Sequence, residues 1–304
     1  MLSRTTAQRP PARPIRRPMS FSTGLMLVAP VIIYLFLLQA YPLGSSILTS
    51  LTDKRIGSPG AFIGLDNYIA LSQDSLFWRA AANTLIFTIG TVIAKLIFGM
   101  IMALVLNQPL PFQSIWRALL FVPWTIPTIV TVLTFNYMYS STGGVFNHLL
   151  MKSGLLSVPF DWLGKPANAM FAVMLVNIWR GTPFFGISLL GALQSIPQEM
   201  YEAAEIDGAS RIQQFTWLTL PMVRPVMILV TLVSTIWTLN DFQIVWVLTR
   251  GGPANSTQLF STLTYTEAFL NLNLAKGIAI SAASIPFVAV LIWVTTRSLL
   301  KQEG

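Results

Sequence analysis

The sequence has no cysteine and a single histidine among its 304 residues. Without thiols it can form no disulfide, iron–sulfur cluster or thiolate metal site. His148 stands alone in a polar stretch and offers neither a metal centre nor a catalytic base with a partner. A phosphate-binding Gly-x-x-x-x-Gly-Lys-Ser/Thr loop is missing too, because the one Gly–Lys pairing, Gly164–Lys165, runs into Pro166. The chain therefore cannot bind and hydrolyse ATP by that route, and no nucleophile–base constellation suggests a membrane-embedded enzyme. Charge is scarce: 10% of residues are charged against 54% hydrophobic, and the mean hydropathy is +0.64. A soluble domain of this length could not hide that much apolar surface, so the composition indicates a chain that crosses a membrane several times. The net charge of +8 does not point to nucleic acid, because Arg4, Arg9, Arg13, Arg16 and Arg17 all stand in one N-terminal arm, where they act as a topology signal.

Residues 1–22, rich in Arg, Pro and Ser, read as a disordered basic cytoplasmic arm ahead of a membrane domain over 23–304. The apolar run Gly24 to Leu43 is too long for a signal-peptide core, and no small-x-small cleavage site follows it, so it reads as a first span. A polar loop from Ser45 to about Arg79 is expected against the outer interface. Further spans are expected at about Thr84–Leu106, Leu119–Tyr139, Ala169–Leu193, Val226–Leu248 and Gly277–Val294, each near the roughly 20 residues that cross about 30 Å of hydrocarbon. Pro123 and Pro127 should bend the third. Six helical spans, an all-α integral membrane protein in contact with lipid, place both termini on one side. Arg117, Arg211, Arg224, Arg297 and Lys301 join the N-terminal arginines there, as the positive-inside bias requires. Lys54, Arg55, Arg79, Lys152, Lys165, Arg250 and Lys276 fall on the other side, so the bias is partial.

The longest polar interval in the second half of the chain lies between the fourth and fifth spans, over 195–221. Ser195 with Gln198 has the spacing of a capping box, and Ser210 with Gln213 repeats it. Between them Ile196, Met200, Ala203 and Ala204 share one helical face while Gln198, Glu202 and Glu205 share the other. Asp207–Gly208 supplies the stop, glycine taking the left-handed conformation of a helix C-terminal cap. A second short helix should continue to about Leu220, before Pro221. Amphipathic helices that lie on lipid favour Lys and Arg on the polar face. Here that face carries Glu199, Glu202, Glu205 and Asp207, so an elbow that docks into a protein cleft fits better.

Lys95, Arg180 and Asp241 fall at membrane depth, where a charge costs several kcal/mol unless it faces the bundle interior or water. Asn177, Arg180 and Phe184 share a face of the fourth span, with Gly181 beside them. Ser234, Thr238 and Asp241 form another face on the fifth. Hydroxyl, amide and carboxylate groups suit a polyol, which both donates and accepts hydrogen bonds, and Phe184 and Trp237 could stack on a sugar ring. These groups equally fit a structural role, with Arg180 and Asp241 as an interhelical ion pair and the hydroxyls bonded to backbone. Lys95 reads as structural or interfacial.

The stretch Glu202-Ala203-Ala204-Glu205-Ile206-Asp207-Gly208-Ala209, followed by Leu220-Pro221, resembles the EAA loop of ATP-binding-cassette importer permeases. Asn240-Asp241-Phe242 with Val247-Leu248-Thr249-Arg250-Gly251-Gly252-Pro253, and Phe62-Ile63-Gly64-Leu65-Asp66-Asn67-Tyr68, are similar to segments of MalF-like carbohydrate permeases. The resemblance implies the type I importer permease fold with a cytoplasmic coupling loop. Glu202 would approach positive groups of the ATPase, Ala203 and Ala204 would pack in its cleft, Gly208 would allow the elbow, and Asp207 would help fix the turn. It also places the family's sugar-lining positions on Asn177, Gly181, Phe184, Ser234, Thr238 and Asp241, to which the shared face adds Arg180.

The partners implied are a second homologous permease chain, an ATPase dimer holding ATP and magnesium, and an extracytoplasmic sugar-binding lipoprotein or periplasmic protein. This chain itself would hold no cofactor and no metal and would be no enzyme. The expected location is the bacterial cytoplasmic (inner) membrane with both termini cytoplasmic, and the expected cargo is a disaccharide or oligosaccharide such as trehalose or a maltose-like sugar. An amino sugar or glycerol phosphodiester is the alternative cargo. An ion-coupled secondary transporter is a further alternative, with Asp241 as the only carboxylate to serve it.

Overall fold

The computed structural model describes residues 21–300, so all of the basic arm 1–22 but its last two residues lies outside the described residues; Phe21 and Ser22 already belong to the first helix. Among the described residues the only β pairing is the isolated antiparallel bridge between Thr52 and Phe62. Two compact units meet at the Leu48–Thr49 boundary.

In the first unit α1 (Phe21–Leu35), a π-helical stretch (Phe36–Ala40) and the greater part of α2 (Tyr41–Ser50) run on as one apolar helix. The π turn stands just before Pro42, which has no N–H to give to a regular ladder. The helix continues past the expected end at Leu43 because no charge or proline interrupts it before Asp53. Leu37, Leu38 and Tyr41 lie exposed along it, as lipid-facing side chains would.

The second unit opens on a loop stapled by Asn67, whose Nδ2 donates to the carbonyls of Ser50 and Thr52, both at 2.8 Å. After α3 (Asp66–Gln73), α4 (Ser75–Leu106) starts where the Asp74 side chain accepts the Leu76 N–H at 2.9 Å. That cap places the helix start well ahead of Thr84, within the interval read as loop. The third expected span is two helices, α5 (Gln113–Thr125) and α6 (Thr128–Met138), crossing at 90°. Pro127 caps α6 and holds Ile126 extended, so the proline bend is a full break. The stretch after α6 carries α7 (Val145–Lys152), and α8 (Pro166–Gln194) begins on a proline, whose missing N–H costs nothing in the first turn.

Following α9 (Gln198–Ile206), the chain does not break at Pro221. A 29-residue helix runs from Arg211 to Leu239, made of α10 (Arg211–Gln213), a π stretch (Gln214–Thr219) and α11 (Leu220–Leu239). The π turns again precede the proline and absorb its lost hydrogen bond. The expected fifth span, Val226–Leu248, is interrupted instead at Asn240–Phe242, with α12 (Gln243–Leu248) beyond. The stretch between α12 and Lys276 folds into α13 (Phe260–Tyr265) and a π stretch (Thr266–Leu270) before α14 (Leu274–Leu300). Among the described residues four helices are long and apolar enough to cross a membrane, or five if the bent pair counts as one.

Helices α4 and α8 form the spine, with Gly99 of α4 set directly against Phe185 and Gly186 of α8. Such small-residue contacts let backbones approach within a bilayer, where burial from water gives no drive to associate. Phe87, Val173, Val176 and Ile244 belong to one buried cluster, and Met100, Phe185, Leu189 and Val230 to a second. Along all three of α4, α8 and α11–α12 a polar layer falls between the two.

Candidate functional site

The polar layer is built by three helices and one break. Lys95 of α4 is only 3% exposed, and its Nζ donates to Asn177 Oδ1 of α8 and to Thr238 Oγ1 of α11, each at 2.9 Å. Asn177 Nδ2 in turn donates to Asp241 Oδ2 at 2.9 Å, while Asp241 Oδ1 accepts the Ile244 N–H in the first turn of α12 at 3.2 Å. Asp241 is therefore not on the face of a continuous fifth span. It sits in the break after Leu239, and the unwound backbone turns its carboxylate inward. Non-helical backbone at such depth is tolerated where it lines a cavity or lies within protein.

Aromatic rings close one side. Trp124 of α5 stacks on Phe184 at 5.2 Å between centroids, and Trp237 completes the group at 5.0 Å from Phe184 and 5.5 Å from Trp124. The Arg180 guanidinium lies 5.5 Å from the centre of the Trp124 ring. It makes no ion pair with Asp241, and its Nε is buried with no hydrogen-bond partner. The Arg180–Asp241 pair contemplated from sequence is thus not formed: Asn177 occupies the carboxylate oxygen and the tryptophan holds the guanidinium. Asn177, Arg180, Gly181, Phe184, Ser234, Thr238 and Asp241 all line one cavity of about 80 Å³, together with Lys95, Trp124, Trp237 and Ile244. Trp124 and Ile244 are lining residues that the sequence reading did not name, and Lys95, read there as structural or interfacial, lines the cavity with them. Lys95 and Trp124 lie on neither the fourth nor the fifth span, although a lysine in mid-span was itself a signal. Among the described residues no group of three His, Asp or Glu side chains could hold a metal ion.

The second candidate region is the elbow. Its helix α9 has Pro197 at the N-cap position and so no side-chain cap; Ser195 bonds instead to the Ala192 carbonyl behind it, so the first expected capping box is absent. The proline turns the chain at the point where Ser195 would have had to reach forward. The second box forms as expected, Ser210 with Gln213. Gly208 has φ +80°, the left-handed value expected of it, and the Ala209 N–H returns to the Ala204 carbonyl at 2.9 Å. Ile196 is buried, and Tyr201 meets the buried Thr219 hydroxyl at 2.9 Å, which ties the elbow to the long helix.

Met200, Ala203, Ala204, Asp207 and Gly208 then form one wall of an open groove of about 590 Å³, faced by Gln213, Gln214 and Trp217. Trp217 is 83% exposed in that groove, and Ile206 and Ile212, outside its lining, are 87% and 77% exposed. Glu199, Glu202, Glu205 and Asp207 form no ion pair within the described residues.

Residues 95–299 match the family described as binding-protein-dependent transport system inner membrane component. The chain is 36% identical over 269 residues to the trehalose/maltose transport system permease protein MalF of Thermococcus litoralis, covering 88% of this chain and 90% of that one. It is 35% identical to the lactose transport system permease protein LacF of Rhizobium radiobacter, with 88% and 91% covered. To the sulfoquinovosyl glycerol transport system permease protein SmoG of Agrobacterium fabrum it is 33% identical, with 84% of each covered. In fold it resembles a chain of a bacterial ABC transporter involved in the import of the acidic polysaccharide alginate, with a TM-score of 0.79, 22% identity, and 93% of this chain and 96% of that one covered. The chain belongs to the family of binding-protein-dependent transport system inner membrane components.

Proposed function

We propose that this chain is a permease subunit of an ATP-driven sugar importer, with the cavity between α4, α8 and α11 as its substrate site and α9 as its coupling helix. Six spans place both termini in the cytoplasm: the helix Leu25–Ser50, α4, the bent pair α5–α6, α8, the long helix ending in α11, and α14. A second permease chain would complete the pathway, an extracytoplasmic binding protein would deliver the sugar, and an ATPase dimer would receive the elbow. Closure of that dimer pushes on α9, and through Ile196 and the Tyr201–Thr219 contact the push reaches α8 and α11 together.

The observation that carries this reading is the meeting of the seven expected residues around one cavity walled by rings. Aromatic faces cover the apolar face of a pyranose, and the amide, hydroxyl and carboxylate groups take its hydroxyls. The relatives named for trehalose/maltose and lactose support a neutral disaccharide. At about 80 Å³ the cavity is smaller than the roughly 300 Å³ at which ligand pockets begin, so the helices must part to admit such a sugar. Alternating access supplies that motion.

Uptake of radiolabelled trehalose, maltose and lactose by the assembled transporter tests this directly. Trp237→Ala and Thr238→Val should weaken sugar binding to the assembled transporter by about tenfold each, the equivalent of about 1.4 kcal/mol. Undiminished binding in both variants would sink the assignment of the cavity. A second reading, an anionic sugar, is favoured by the Arg180 guanidinium, which has no carboxylate partner in the cavity. Preference for a uronate disaccharide over its neutral counterpart, lost in Arg180→Gln, decides between the two.

A further inference from the structure

Lys95 is the buried charge to which the transport reading gives no task. An ammonium group has three hydrogens and no lone pair, so whatever it meets must present an oxygen. Its contact with Asn177 therefore orients the amide, with the oxygen toward Lys95 and the nitrogen toward Asp241, where it donates to Oδ2. The contact with Thr238 commits an oxygen lone pair to Lys95 and leaves the hydroxyl hydrogen for another acceptor. Among the described residues none takes it.

We infer that Lys95 is a positioning residue that sets the hydrogen-bond polarity of the cavity: it makes Thr238 a donor toward substrate, keeps Asp241 an acceptor, and holds Asn177 as the link between the two charges. The inference rests on the cavity being the sugar site. The sugar then meets Thr238 with a ring or hydroxyl oxygen and meets Asp241 with a hydroxyl hydrogen.

Gly181 belongs to the same device. A Cβ built on it would lie 2.5 Å from Lys95 Cδ, so the missing side chain is the notch through which the lysine stem reaches Asn177 and Thr238. Gly181 acts through Lys95 rather than by touching sugar itself. This separates it from Phe184 and Trp237, whose rings form the wall.

The test is equilibrium binding of radiolabelled trehalose, maltose or lactose, whichever the wild-type complex imports, to the assembled transporter without its binding protein. Lys95→Met should raise Kd by about tenfold or more, the size of one lost oriented hydrogen bond and its consequences. Gly181→Ala should raise Kd in the same direction with the lysine still present, which keeps the test open if Lys95→Met does not assemble. The double variant Lys95→Met/Asp241→Asn removes both charges and should recover assembly and thermal stability while Kd stays raised.

Recovery of Kd in the double variant would overturn the inference, because Lys95 would then only neutralise Asp241. It also fails if neither Lys95→Met nor Gly181→Ala changes Kd while Thr238→Val and Trp237→Ala do. If Thr238→Val and Trp237→Ala leave Kd unchanged as well, the sugar site lies elsewhere and the transport reading of the cavity falls with the inference.

Discussion

The cavity and the elbow are opposite solutions to the problem of placing polar groups in a largely apolar chain. In the cavity the charges are buried, and Lys95, Asn177, Thr238 and Asp241 satisfy one another at hydrogen-bond distance. In the elbow the acids stand in the open with no ion pair among the described residues, while Ile206, Ile212 and Trp217 expose apolar surface. A buried polar network is nearly self-sufficient, because an unmet group there costs more than its bonds return. An exposed groove with apolar rims has no such internal closure. The cavity therefore leaves only selected groups open, the Arg180 Nε and the Thr238 hydroxyl hydrogen, whereas the elbow leaves a whole face open.

The sharpest way to break this contrast is to spoil the groove without touching the fold. Ala203→Trp or Glu202→Lys, both at exposed positions, should leave the detergent-solubilised permease within about 0.5 kcal/mol of its normal stability. Either should nonetheless lower ATP-dependent uptake by about a hundredfold or more, as expected of a residue at the centre of an interface. Thermal melting of the permease and uptake by the whole transporter are the two measurements. Unchanged uptake with Glu202→Lys would end the docking role of the acidic face.

The cavity should respond the other way. Lys95→Met, which strands the Asp241–Asn177 pair in a buried layer, should lower the melting temperature of the isolated permease as well as sugar affinity. The stability loss should be about 2–4 kcal/mol, the range for an uncompensated buried charge after some relaxation. A variant that kept its melting temperature would show that the network is looser than its distances imply.

Much of this contrast was legible in the sequence, and the failures share a cause. The spacing of Asn177, Arg180 and Phe184 placed them on one face because α8 is an uninterrupted helix there. The same arithmetic misplaced Asp241, since the helix ends at Leu239 and the carboxylate arrives through an unwound turn. Lys95 read as structural or interfacial, and it is buried as such, but periodicity could not name its partners, since Thr238 stands 143 residues away. At the elbow, Gly208 and the Ser210–Gln213 box were readable because both are local chemistry. Pro221 was misread as a stop because the π stretch that accommodates it leaves no composition signal.

A finer division within the elbow follows from its two local devices. Gly208 holds φ +80°, a conformation costing an L-residue about 1 kcal/mol, and a Cβ there meets no neighbour within 4 Å. Gly208→Ala should therefore bend the groove slightly and reduce uptake only a few-fold, the arithmetic of about 1 kcal/mol. Ser210→Ala removes one side of a capping box at the start of a 29-residue helix whose remaining length is held by packing. That cap is worth about 1 kcal/mol locally. It is confined to the first turn, so its loss should fray residues near Arg211 and leave uptake within about twofold of normal. Hydrogen exchange at the Gln213 amide, which donates to Ser210 Oγ at 3.4 Å, would register the fraying directly. A larger fall in uptake for Ser210→Ala than for Gly208→Ala would mean that the start of the long helix, rather than the turn after α9, transmits the stroke.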